Sequence, residues 1–101
     1  MLKKVMINDK YYELIEDYKD GFSLSDVSEK KTDYFDGYDY IIGDWAYGKL
    51  RLKGFCDNDN PNYRKINDIK DKDKYIKNNC AYDCKYFVLR KVKDSVSDAN
   101  I

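Results

Sequence analysis

The chain has 101 residues, which suffices for one domain with a single modest core. Its 19 Lys and Arg residues are balanced by 19 Asp and Glu residues. This excludes the globally basic composition of many nucleic-acid-binding domains, although it leaves room for a local basic patch. Histidine is absent, which excludes His-based catalytic triads, His general bases and His-containing metal sites.

The sequence contains no stretch that approaches a transmembrane span. The lysines near the N-terminus are not followed by the long apolar segment of a signal peptide. We therefore expect a cytoplasmic protein without a membrane contact, whose thiols are reduced.

The first third of the chain predicts a β-hairpin followed by a helix. Apolar and polar residues alternate on both sides of the turn-forming sequence at 8–10, as they do in two paired strands. Ser23 or Ser25 could cap a helix whose apolar face runs from Leu24 to Phe35. That helix should stop before Gly37.

The middle of the chain predicts a second pair of strands. Residues 38–42 form a strand candidate, and residues 43–48 read as a turn or a bulged connection. Lys49 to Phe55 is the clearest strand, because Leu50 and Leu52 alternate with cations.

The last third predicts a helix and a strand. Apolar residues at helical spacing within 66–80 predict a rather polar helix, and residues 84–92 predict a strand that is apolar on both faces and therefore central in the sheet. Residues 93–101 show no pattern and are expected to form a disordered tail. The order ββαββαβ predicts one α+β domain over residues 1–92, with a mainly antiparallel sheet of about five strands and two helices packed on it.

Three blocks of the chain resemble the YutD-like family of small bacterial proteins. The blocks lie at Tyr12–Phe22, Tyr38–Phe55 and Cys80–Leu89, in the expected order. Ala46 departs from the family pattern, which usually has Gly after the tryptophan. The resemblance implies a compact cytoplasmic α+β domain of low-GC Gram-positive bacteria and their wall-less relatives, and it implies no particular activity.

The sharpest functional pattern is the alternation of Lys49, Arg51 and Lys53 along one strand face. Their spacing of about 6.6–6.8 Å is close to the step of phosphates along a nucleic-acid backbone. Trp45 and Tyr47 nearby could stack on a base. The pattern predicts a non-enzymatic module that binds RNA or a ribonucleoprotein surface. The structural alternative is a solvated sheet face whose lysines prevent edge pairing.

Two other classes of function stay open. The first is a protein–protein adaptor or regulator that uses the turn around Trp45 and Tyr47. The second is a small enzyme that uses Asp44 or the pair Cys80 and Cys84, and it ranks last because no nucleophile, base and orienting group can be assembled without histidine. Asp44 also belongs to the candidate binding set, although such a residue more often fixes a turn.

Cofactors and metals are not expected. Only three cysteines are present, and a structural metal site usually needs four ligands at shorter spacing. Buried cysteines that act as small apolar side chains are the favoured interpretation of Cys80 and Cys84.

Overall fold

The computed structural model describes residues 3–79 and 84–92. Within them the order ββαββαβ and the α+β class are confirmed. The elements are β1 (Lys3–Ile7), β2 (Lys10–Tyr18), α1 (Leu24–Lys30), β3 (Tyr40–Ala46), β4 (Lys49–Phe55), α2 (Lys72–Asn79) and β5 (Tyr86–Lys91). The expected tail at 93–101 lies outside the described residues, so the domain boundary after residue 92 stays a prediction.

The five strands form one antiparallel sheet in the order β1-β2-β5-β3-β4. β5 is therefore central, as its apolar sequence predicts, and it pairs with β2 on one side and β3 on the other. β1 and β4 form the two edges. Each of the two helices packs on a different face of this sheet, and we name the faces after them.

The α1 face carries the larger part of the core. Its side chains include Ile41, Phe87 and Leu89, which are fully buried, and Val27 of α1 packs into the same cluster. Ser23 caps α1, as predicted, because its side-chain oxygen accepts from the backbone N–H of Asp26, which satisfies one of the free donors at the helix start.

The α2 face carries a smaller apolar cluster. Ile42, Phe55 and Val88 form its buried centre. Tyr75 and Ile76 of α2 pack against that centre, and the ring of Tyr75 meets the ring of Phe55 edge to face at a centroid distance of 5.1 Å. The remaining sheet surface on this side bears polar and charged side chains.

The turn predicted at residues 43–48 is longer than the observed one. β3 continues through Ala46, and only Tyr47 and Gly48 form the turn, both with positive φ (55° and 76°). Such a two-residue turn suits the right-handed twist of a hairpin. Gly43 is needed for packing rather than for turning, because a Cβ there would lie 2.1 Å from Cζ of Phe87.

The first predicted helix is shorter than its apolar pattern suggests. α1 ends at Lys30, the chain is extended at Lys31, and a 3₁₀ helix follows at Asp33–Gly37. The break places the Lys31 side chain, which is 1% exposed, inside the molecule with its Nζ 2.8 Å from Oδ1 of Asp36. A charge so deeply buried needs a partner, and the extended residue allows the two to meet.

The second predicted helix is also interrupted. Its first half consists of 3₁₀ turns at Lys65–Asn67 and Ile69–Asp71, and only Lys72–Asn79 is α-helical. The interruption falls at Asp68, which is extended and forms a parallel backbone bridge with Cys56. A long-range backbone pairing therefore overrides the helical spacing of the apolar residues.

Candidate functional site

The outer side of β4 is an open strand edge over part of its length. A two-residue hairpin turn makes Ala46 and Lys49 a hydrogen-bonded pair, and such pairs alternate along an antiparallel ladder. Arg51 therefore directs its N–H and C=O toward β3, whereas Leu50 and Leu52 direct theirs away from the sheet. No hydrogen bond joins the backbone of Leu50 or Leu52 to any other residue that the structure describes on this side.

The C-terminal end of β4 is covered. Cys56 continues the same alternation, and its N–H donates to the C=O of Asn67 at 2.8 Å while its C=O accepts from the N–H of Ile69 at 3.1 Å. Gly54 is buried. The accessible part of the edge thus runs over Lys49–Lys53, and we call it the open edge.

Two adjacent grooves follow the open edge. The first has a volume of about 510 Å³ and lies between the end of α1 and the β3–β4 hairpin. The second has a volume of about 270 Å³ and lies between β4, the 3₁₀ helix at Asp33–Gly37 and residues 64–67. Among the described residues that line them, five are cations and none carries a carboxylate. The cations are Lys30, Lys49, Arg51, Lys53 and Arg64.

Asp44 and Arg51 face each other across the hairpin. Nε of Arg51 donates to Oδ1 of Asp44 at 3.1 Å and Nη2 donates to Oδ2 at 2.7 Å, which is a bidentate ion pair. The hydrogen bonds that Arg51 donates to Asp44 raise the pKa of the guanidinium above its ordinary value. The Asp44 side chain is 3% exposed and both of its oxygens are engaged, so it is poorly placed to serve as a general base.

Trp45 is a half-buried packing residue on the α1 face. Its indole N–H donates to the C=O of Gly21 at 2.7 Å. The Nζ atom of Lys85 lies 4.6 Å from the centre of its ring. An incoming base or side chain would have to displace Lys85 before it could stack on this indole.

Tyr47, Lys49 and Arg51 are the exposed members of the set of sequence-predicted site residues. Tyr47 is fully exposed at the hairpin tip, and Lys49 is exposed beside it. Lys53 is half-buried instead, because its ammonium lies over the rings of Phe55 and Tyr75 at 5.4 and 5.8 Å from their centres. The three alternating cations therefore differ in environment despite their common face.

Sequence reasoning missed the residues that complete the grooves from outside the hairpin. Tyr34 and Ile66 are exposed, at 67% and 77%, and both line the second groove. Lys30 and Arg64 add the two cations that no strand pattern indicated. The sequence pattern placed Tyr34 and Ile66 on the apolar faces of two predicted helices, so it gave no indication that they are exposed.

The thiols are arranged differently from the expectation. Cys56 is a buried free cysteine, and burial raises the pKa of its thiol. Cys84 is half-buried and disulfide-bonded, which corrects the expectation that all thiols are reduced, since local geometry as well as compartment decides whether a disulfide forms. Cys80 lies outside the described residues.

The described residues carry neither a metal-binding cluster of side chains nor a membrane-spanning helix. Residues 3–79 and 84–92 do not bring three or more Cys, Asp or Glu side chains together in a way that could hold a metal ion. Within these residues no helix has the length and apolarity that a membrane crossing requires.

The fold and the hairpin define a class of small α+β proteins built on a five-stranded antiparallel sheet with one helix on each face. The chain belongs to the YutD-like family, whose model, described as "Putative antitoxin YutD-like", matches residues 6–90. It is 39% identical over 89 residues to the "Putative antitoxin YutD" of Bacillus subtilis (strain 168), which covers 88% of this chain and 98% of that protein. It is also similar to the solution NMR structure of the yutD protein from B. subtilis, with a TM-score of 0.76, 35% identity, and coverage of 98% of this chain and 90% of that one.

Proposed function

We propose that the chain is a non-enzymatic binding module that holds a protein partner at the open edge and thereby acts as an antitoxin. The observation that carries the proposal is an open strand edge beside grooves whose described lining includes five cations and no carboxylate. The chain has equal numbers of anions and cations, so a surface that carries cations without carboxylates favours an acidic partner. The name of the B. subtilis relative agrees with a partner that is bound and neutralised.

The predicted site residues divide between contact and support in this proposal. Lys49 and Lys53 supply charge beside the edge, and Tyr47 supplies an exposed aromatic ring of the kind that is enriched at interfaces. Asp44 and Trp45 hold the hairpin in shape through the ion pair with Arg51 and the hydrogen bond to Gly21. Arg51 contributes only the exposed part of its side chain, because Nε and Nη2 of its guanidinium donate hydrogen bonds to Asp44.

RNA or a ribonucleoprotein surface is the second candidate, favoured by the exposed pair Tyr47 and Lys49. The geometry supports it less well. The ion pair with Asp44 weakens the attraction of Arg51 for a phosphate as much as for a carboxylate, so the difference lies in stacking. The ring of Trp45 is packed on one side and has Lys85 near its centre, so a base has no free platform there.

The proposal is tested by capture of partners from a native lysate with and without nuclease. The bait is the tagged chain, compared with a Lys49→Gln/Lys53→Gln variant. Arg51 is left unchanged because its removal would leave the buried carboxylate of Asp44 without a partner. We expect one protein to be retained after nuclease treatment and its capture to fall roughly tenfold in the variant, since exposed charge contacts contribute ~0.2–1 kcal/mol each.

The matched control is Lys3→Gln/Lys4→Gln on β1, the opposite edge of the sheet, where both lysines are exposed. This variant makes the same change in net charge and should capture the partner as well as the unmodified chain does. Loss of all captured material on nuclease treatment would reject the protein partner and favour RNA. Equal loss in both variants would show that net charge, rather than the open edge, is what the partner recognises.

A further inference from the structure

We infer that the partner presents an extended acidic segment, which adds to the sheet as a sixth strand beside β4. The inference rests on the proposed function and goes further by naming the mode of binding and the chemistry of the bound segment. It follows from the backbone of the open edge, from the side chains on its two sides and from the charges that line its grooves.

The backbone of the open edge is prepared for pairing. Leu50 and Leu52 each direct one N–H and one C=O away from β3, and among the described residues these groups find no partner. At Cys56 the groups that point the same way are already used by Asn67 and Ile69, which shows that this side of the strand accepts a neighbour. An added strand would extend the ladder of the sheet through Leu50 and Leu52.

The side chains beside the edge specify an alternating sequence. On the α1 face a guest strand would lie beside the apolar side chains of Leu50 and Leu52. On the α2 face it would lie beside Lys49 and Lys53, and side chains directly opposite on neighbouring strands approach within about 5 Å. The fitting segment therefore carries apolar residues at every second position and acidic residues between them. The open edge spans five residues, so the paired part is short.

A second copy of the chain fits the open edge poorly. If two β4 strands paired antiparallel about Arg51, Lys49 of one copy would lie opposite Lys53 of the other, and the two Arg51 residues would face each other. Like charges directly opposite are destabilising. RNA also fits this backbone poorly, because its phosphates, hydroxyls and bases do not supply the donors and acceptors in the regular alternation of a strand that Leu50 and Leu52 require.

The test is amide hydrogen exchange by NMR on the full labelled chain. In the free protein the amides of Leu50 and Leu52 should exchange faster than those of Arg51 and Lys53, which are bonded to β3. A decapeptide of alternating Glu and Val is then added. We expect exchange at Leu50 and Leu52 to slow by roughly tenfold or more at saturation, while exchange in β1 stays unchanged.

Two matched probes and two matched variants sharpen the test. A decapeptide of alternating Lys and Val and a decamer of uridylate should leave both amides unprotected. Lys49→Glu/Lys53→Glu should weaken binding of the acidic peptide roughly tenfold or more, whereas Lys3→Glu/Lys4→Glu on β1 should not. Failure of the acidic peptide to protect Leu50 and Leu52, or protection by the basic peptide or the RNA instead, would overturn the inference.

The inference and the proposed function can fail separately. If a captured protein partner survives nuclease treatment and depends on Lys49 and Lys53, but leaves the amides of Leu50 and Leu52 unprotected in the complex, the partner binds without adding a strand. In that case only the inference is wrong. If the captured material is RNA alone, the proposed function itself is wrong.

Discussion

The two faces of the sheet are built from the same five strands and are stabilised differently. Among the residues that the structure describes, nine buried side chains form one cluster on the α1 face. Three described residues form the buried cluster on the α2 face. Much of the surface around that cluster is occupied by the ion pairs of Asp44 with Arg51, Glu16 with Lys72 and Glu13 with Arg90. The free energy of folding therefore resides mainly in the α1 face, which leaves the α2 face able to carry charge.

Ile41 and Ile42 provide the most direct test of this difference, because they are adjacent, identical and almost completely buried on opposite faces. Ile41→Ala should lower the free energy of unfolding by about 4 kcal/mol, since the large cluster cannot close around the cavity. Ile42→Ala should cost about 2 kcal/mol, because the small cluster beside exposed polar groups can relax. Chemical denaturation measures both, and equal costs would show that the two faces contribute alike.

The stability costs of substituting Gly43 and Gly48 by Ala compare the interior of the α1 face with the tip of the same hairpin. Gly43→Ala should cost about 2–3 kcal/mol, because its new Cβ would overlap the ring of Phe87. Gly48→Ala should cost only about 1 kcal/mol, since space is open there and only the positive φ is strained. Thermal and chemical unfolding of the two variants give the comparison, and a tolerated Gly43→Ala would mean that the Phe87 ring can move aside.

The ion pair of Lys31 and Asp36 places charge on the otherwise mainly apolar α1 side of the sheet. The hydrogen bond from Lys31 lowers the pKa of the Asp36 carboxyl below its usual range. Because the folded-state pKa is the lower one, this stabilisation is present above the unfolded-state pKa near 4 and is lost as pH falls through the folded-state value. Asp36→Asn should reduce stability at pH 7 by about 1–3 kcal/mol, because the buried charge of Lys31 loses its ionic partner, and should flatten the dependence on pH below 4. Unfolding free energies at pH 2–7 would show this, and parallel curves for both proteins would contradict it.

Substitution of Tyr12 is expected to have the smallest effect on stability at neutral pH. Its hydroxyl is buried and finds no hydrogen-bond partner among the described residues, so Tyr12→Phe should change stability by less than about 1 kcal/mol, in the stabilising direction. Burial raises the pKa of Tyr12 to about 12. The folded state is therefore favoured below the unfolded-state pKa near 10, and this contribution disappears as pH rises through 12. The loss of stability between pH 10 and 12 should be smaller in the variant, as followed by circular dichroism.

The sequence predicted the strands well and the breaks between elements poorly. Lys49–Phe55 was predicted with its observed bounds, because strict alternation of apolar and charged residues leaves little ambiguity. Gly43 was mistaken for a turn residue, since a glycine that makes room for a distant ring has the same local signature as one that turns the chain. Lys31 and Asp68 interrupt helical patterns through contacts with other parts of the chain, which local periodicity does not contain.

The candidate site was predicted only as far as one strand could show it. The sequence placed Lys49, Arg51 and Lys53 on one face, and the structure agrees. Asp44 neutralises Arg51 because the register of the hairpin places the two residues opposite each other. The sequence did not give this register, because its predicted turn covered residues 43–48 and the observed turn covers only residues 47–48. Lys30 and Arg64 come from segments on either side of β4 and reach the grooves only through the tertiary fold.

The bridge between Cys56 and Asp68 also bears on amyloid formation. Fibrils grow when segments of about six or seven residues with low charge stack through unpaired strand edges. The bridge occupies one end of β4, so only Lys49–Lys53 remains open, and three of these five residues are cations. This length and charge make the segment a poor template for cross-β stacking. In the binding mode that we infer, the same short and cationic edge that accepts an acidic guest strand would pair poorly with the β4 edge of another copy.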